Sequence, residues 1–195
     1  MHNNLSGQVI LGLLSASVLI IGLAQAAEPA DVWKPLRFLL GSWEGGGSGA
    51  PGEGHGYATF TLELDSNVMM RKNRTEFPPK PGEKSGLVHD DWLLIYPVAA
   101  IQGQSQKPDS SSASHPSPLF KAIYFDNEGH VINYNVAFPG ENAATFETDP
   151  AQPGPRIRLE YTMPSPDVAR SVFSFAMPGG DFKPYVSGDV RRVKE

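Results

Sequence analysis

Residues able to do chemistry are few in this chain. His89, Asp90 and Asp91 lie in "LVHDDWLLIYP", and His130 follows "FDNEG". On an extended strand His89 and Asp91 project to the same side. That spacing suits two ligands of a metal, or a histidine base oriented by a carboxylate in an enzyme. A metal site needs three or four ligands of defined geometry, and no third is marked, so no metal is expected. The plainer reading places both residues at a strand mouth, solvated or hydrogen-bonded. His130, beside a turn, is either a solvated loop residue or a rim group that donates to a ligand; His55, in "GEGHGY", reads as a loop residue. The chain has no cysteine, which removes disulfides, thiolate metal sites and cysteine nucleophiles. No Gly-x-Ser-x-Gly elbow is present, and Glu63 and Glu160 fall on outward faces, so no internal carboxylate pair is formed. No catalytic residue is assigned, and the residues favour a binder over an enzyme.

Tyr134 and Tyr161 differ in falling on the apolar faces of their segments. A buried phenol needs a partner, and an apolar space with two polar handles is the usual make-up of a small-molecule site. The segments that would position them alternate with period two. In "YATFTLEL" Ala58, Phe60, Leu62 and Leu64 oppose Tyr57, Thr59, Thr61 and Glu63. Ile132, Tyr134, Val136 and Phe138 share one side, as do Ile157, Leu159, Tyr161 and Met163. Alternation with β-branched residues marks half-buried strands. The expected inward set is Phe60, Leu62, Leu64, Ile132, Tyr134, Val136, Ile157, Leu159, Tyr161, Phe173 and Phe175. The run from Trp92 to Tyr96 is apolar on both faces and reads as covered; Met177 ends another apolar face.

Asn127-Glu128-Gly129 turns the clearest hairpin, with Gly129 free to take a positive φ. Gly and Pro number 20 and 18 in 195 residues, breakers spread as many short strands require. Only Ala30 to Leu40 looks helical, with Asp31 as a cap and Pro35 limiting it to a turn or two. The stretch from Val98 to Pro118 is rich in Ser, Gln and Pro and reads as a surface loop. The fold expected is all-β: about nine or ten antiparallel strands in a meander, with a short N-terminal helical turn. A closed up-and-down barrel or a sandwich satisfies that pattern. Closure removes exposed edges and can enclose a ligand.

Val9 to Ala24 is apolar and ends at Ala24-Gln25-Ala26, a small-x-small pattern, so residues 1–26 read as a signal peptide and 27–195 as one barrel domain. As a helix the apolar run would span about 24 Å, short of the roughly 30 Å needed to anchor in a bilayer. The expected location is periplasmic or secreted, with no membrane partner after cleavage. Net charge is -5 with no basic run, which argues against nucleic acid as a partner.

"FLLGSWEGGGSG", Phe38 to Gly49, places Trp43 between an apolar turn and a glycine cluster. The flanking strand, helix and Lys-Ser/Thr that a phosphate loop would need are missing. Gly41-Ser42-Trp43 after a helical turn instead resembles the Gly-x-Trp opening of the calycin barrels, the lipocalin and fatty-acid-binding superfamily. It also looks like the opening of nitrobindin-type barrels and of related uncharacterised bacterial exported proteins. The calycin resemblance implies that Trp43 closes one barrel end under an Arg of the last strand. In "GDVRRVKE" alternation points to Arg192, with Arg191 as the fallback. A contact of that kind contributes about 0.5–2 kcal/mol against about 3–5 kcal/mol for a buried Trp, so Trp43 is expected to matter far more than Arg192.

The nitrobindin resemblance implies haem on a His near the C-terminus. No His follows His130, so that residue has no counterpart, and Tyr134, Tyr161 or Met177 would have to substitute. No cofactor is expected. The function expected is an exported barrel that binds a small, largely apolar molecule, contacted by Phe60, Leu62, Tyr134, Tyr161, His130 and His89. The alternatives are a haem protein, an enzyme using His89 and Asp91, and a structural barrel with a filled core.

Overall fold

Ten strands, each antiparallel to its neighbours, close on themselves in a computed structural model that describes residues 31–98, 119–149 and 154–194. The expected signal segment and nearly all of the Ser/Gln/Pro-rich stretch lie outside the described residues. A short 3-10 helix, Lys34–Leu39, leads into β1 (Gly41–Gly49), β2 (Gly52–Glu63), β3 (Val68–Phe77), β4 (Leu87–Val98) and β5 (Leu119–Asp126). There follow β6 (Val131–Gly140), β7 (Ala143–Thr148), β8 (Arg156–Ser165), β9 (Val168–Ala176) and β10 (Lys183–Arg192). Each strand pairs with the next in sequence, and β1 pairs with β10 to close the ring, Trp43 opposite Arg192. The sandwich alternative is thereby excluded. The chain is a closed ten-stranded up-and-down barrel, the fold that the calycin resemblance implied.

Pro35 lies in the first turn of the 3-10 helix, where the missing N–H costs nothing. The helix buries Leu36, Phe38 and Leu39 against the strands, and the Trp33 indole donates to the Ser66 carbonyl at 2.7 Å. It covers this end of the barrel, and Leu36, Phe38 and Leu39 join Met69, Ile95, Phe120 and Val136 in one buried cluster. Three strand pairs slip register, at Ala137/Gly140, Thr162/Ser165 and Pro184/Val186. Pro139, Pro164 and Pro184 fall at these three places, since a proline has no N–H to give the ladder.

The glycines of β1 exist because β10 runs too close for side chains. A Cβ on Gly45 would stand 2.3 Å from the Asp189 carbonyl oxygen, and one on Gly47 would stand 2.9 Å from that of Ser187. Contacts under about 3 Å are not tolerated, so this wall stays bare backbone.

Four expectations need correction. Leu64 is not inward: it begins the β2–β3 turn in the left-handed region, φ 51°, and is exposed. The alternating strand ends one residue earlier because Leu64, Asp65 and Ser66 all turn left-handed. Trp92 is half exposed on the outer face, so β4 is covered on one side only there. Met177 is exposed just past β9 and lines nothing. His55 belongs to β2 rather than a loop, its Nε2 3.1 Å from Glu44 on the neighbouring strand.

Candidate ligand-binding cavity

Alternation sends one residue in two of every strand inward, and the inward positions differ along the barrel axis. At the plugged end they are large and apolar. Towards the far end, where the β1–β2, β3–β4 and β5–β6 connections lie, the glycines of β1, β2 and β10 leave space and polar side chains appear among the apolar ones. The result is a cavity of about 460 Å³. Its floor and one wall are apolar, made by Leu39, Trp43, Phe60, Leu159, Phe173 and Val190. The opposite wall, on β3, β4 and β5, carries Arg71, Asn73, Thr75, His89, Asp91 and Asp126.

The floor is held by Arg192. Its guanidinium carbon lies 4.2 Å from the centre of the Trp43 ring. One terminal nitrogen donates to the Leu40 carbonyl, the other to that of Phe38 at 3.1 Å, and Nε donates to Asp167 at 3.1 Å. The indole N–H of Trp43 donates to the Leu39 carbonyl at 2.7 Å. A helix end leaves its last carbonyls without partners; here Trp43 and Arg192 supply the donors. Arg191 is on the other face, opposite Glu44.

The polar wall is a connected network. Arg71, on β3, is buried and donates to the Asp91 carboxylate and to the Tyr161 hydroxyl across the barrel. Asp91 also accepts from the Asn73 amide at 2.8 Å. Burial alone would raise the Asp91 carboxyl, but the Arg71 guanidinium together with the bonds from His89 and Asn73 more than offsets it and holds Asp91 below the usual carboxylate range. Burial likewise opposes the charge on Arg71, and Asp91 keeps it fully cationic. Arg71 Nε is the exception in this network: it is buried and has no partner.

His89 lies between Asp91 and the cavity mouth. Its Nε2 is 2.9 Å from the Tyr124 hydroxyl and 3.5 Å from Asp91, and its Nδ1 is 3.0 Å from Glu128 in the β5–β6 turn. The bond to Asp91, aided by Glu128 against the cost of burial, lifts the imidazole to about 9. At neutral pH His89 is therefore a doubly donating imidazolium. At the rim, His130 Nδ1 lies 2.8 Å from Asp126, whose carboxylate also accepts the backbone N–H groups of Glu128 and His130. Burial opposes the Asp126 charge, and these bonds more than offset it, lowering its pKa.

The structure brings Phe60, Tyr161, His89 and His130 to this cavity. Phe60 and Tyr161 meet edge to face, ring centres 5.7 Å apart. Leu62 packs into the core below and is absent from the lining. Tyr134 is buried beside Phe146, outside the cavity, with its hydroxyl unpartnered. Sequence reasoning missed Arg71, Asn73 and Glu128. The signal was present in "VMMRKNRTEF": Val68, Met70, Lys72, Arg74 and Glu76 form the more charged face, leaving Met69, Arg71, Asn73, Thr75 and Phe77 to point inward. Among the described residues no group of three or more His, Asp or Glu side chains could hold a metal ion.

The sequence matches no protein-family model, and no curated protein matches it. Solved structures do match by shape. Rv2717c from M. tuberculosis aligns over 85% of this chain and 99% of its own, at 12% identity and a TM-score of 0.52. The S-type phycobiliprotein lyase CPES from Guillardia theta aligns over 81% of this chain and 90% of its own, at 10% identity and a TM-score of 0.46. At such identities the likeness concerns fold alone, and the first of the two carries it.

Proposed function

We propose that this chain is an exported, non-enzymatic barrel that binds one small, largely apolar molecule in its interior. The observation that supports this reading is the cavity itself: about 460 Å³, within the usual range of small-molecule sites, with apolar walls and a few convergent polar groups. An interior of that size favours a ligand over a filled structural core. Export rests on the signal-like residues 1–26, whose apolar run and small-x-small end support a periplasmic or extracellular barrel.

Two alternatives fit less well. As a base, His89 would need a free imidazole lone pair near neutral pH, and its bonds to Asp91 and Glu128 keep it protonated. For haem, the last strand brings no His to the cavity; its one ligand type there, Tyr185, packs against Phe173 and Phe175 at ring distances of 6.4 and 5.1 Å. Tyr161 already accepts from Arg71, and both nitrogens of His89 are bonded. The His near the C-terminus that the nitrobindin resemblance implied has no counterpart in this chain.

The test is fluorescence titration of the purified protein with N-phenyl-1-naphthylamine, a neutral probe that brightens on leaving water. Ser171 faces the cavity from β9, and Ser171→Trp should fill much of it. Saturable single-site binding that Ser171→Trp weakens about tenfold or more, with melting temperature retained, is the expected result. Absent binding, or binding indifferent to the filling, overturns the proposal.

A further inference from the structure

Regular alternation along β10 sends Val186, Gly188 and Val190 to the cavity and would send Tyr185 outward. The strand is not regular there. Its register against β9 shifts between Pro184 and Val186, so that Tyr185 stands opposite no residue of β9. A bulge of this kind re-aims a side chain. Tyr185 and Val186 are consecutive, yet both line the cavity.

The re-aimed phenol completes an aromatic cluster. Its ring centre lies 5.1 Å from that of Phe175 and 6.4 Å from that of Phe173, and those two are 5.1 Å apart. The three meet edge to face, with planes at 69°, 72° and 83°. None is sealed off: Phe173 and Phe175 are half-buried, Tyr185 is 38% exposed, and all three line the cavity. Phe60 and Tyr161 add a second edge-to-face pair to the same lining. Against such a wall a saturated group gains only by burying area. An aromatic ring gains that and about two- to tenfold more in an equilibrium constant for each ring contact.

Building on the binding function proposed above, we infer that the ligand carries an aromatic ring system, which docks on Phe173, Phe175 and Tyr185. Tyr185 is a specificity-determining residue. The bulge gives up a regular ladder position and gains a third ring in this part of the wall, where an unbroken β10 would leave two.

A matched pair of competitors tests the inference on the whole protein. Naphthylmethanol and its fully saturated counterpart, decahydronaphthylmethanol, share a skeleton and a hydroxyl and differ in the rings. Each is used to displace N-phenyl-1-naphthylamine. The saturated alcohol exposes the greater apolar area to water, so burial alone favours it. Naphthylmethanol should nevertheless compete at about tenfold lower concentration. Tyr185→Leu keeps apolar bulk at the mouth and removes one ring, and the preference should fall about threefold. Both alcohols compete against the same probe, so their ratio is independent of what the variant does to the probe. The saturated alcohol competing as well as naphthylmethanol with the unmodified protein overturns the inference while leaving ligand binding intact. A ratio unchanged in a folded Tyr185→Leu overturns the role of Tyr185. Failure of the probe itself to bind removes both the inference and the function on which it rests. The comparison on the unmodified protein stands whether or not the variant folds.

Discussion

Arg192→Ala tests how the closed end of the barrel is held. The substitution removes a cation from the Trp43 face, worth about 0.5–2 kcal/mol. It also removes charged donors to the Phe38 and Leu40 carbonyls, about 1.5–3 kcal/mol each when buried. The side chain is 27% exposed, so water replaces part of that loss, and the surface pair with Asp167 adds only about 0–1 kcal/mol. A net cost of about 2–4 kcal/mol follows. Trp43→Ala empties a site that is 2% exposed, at about 3–5 kcal/mol. The gap between the two is therefore much narrower than the Trp–Arg contact alone would give, because Arg192 also serves the end of the helix. Urea unfolding followed by circular dichroism would show the midpoint falling in both variants with the slope retained. The double variant should recover about 1–2 kcal/mol of coupling, as expected for residues in contact. An Arg192→Ala protein within about 0.5 kcal/mol of the parent, or zero coupling, would refute the reasoning.

Stability should also depend on pH through His89. Its pKa rises from 6.5 unfolded to about 9 folded, so its contribution is complete below pH 6.5 and is lost as pH climbs to about 9. The loss is at most about 3 kcal/mol, less where water reaches the mouth. His89→Gln should flatten the urea midpoint across that window, and an equal slope in both proteins would show that His89 is not the group responsible. With hemin, the purified protein should give no sharp stoichiometric Soret shift; a shift abolished by changing a single inward residue would restore the haem reading.

The sequence by itself determined an antiparallel meander of short strands and marked its two ends, while closure into a barrel and not a sandwich was settled by the pairing of β1 with β10. Period-two runs separated by Gly, Pro and Asn leave few options but short antiparallel strands, and the side a residue takes follows from the pleat. Gly41-Ser42-Trp43 and the terminal Arg192 were legible for the same reason: each is local, and closure of a meander brings the first strand to the last. Local pattern failed where a turn began early, as at Leu64, where a strand stopped short, as before Met177, where flanking glycines hid a strand, as at His55, and where covering elements had to be guessed, as at Trp92. The chemistry of the cavity was a tertiary matter. Tyr161 lies 90 positions from Arg71 and Asp91 lies 20 positions away, and nothing in alternation says which inward residues share a level of the barrel. Strand register and the way the ring closes set those levels. Buried charge is tolerated only where they bring a partner within bonding distance, as they do for Arg71 and Asp91.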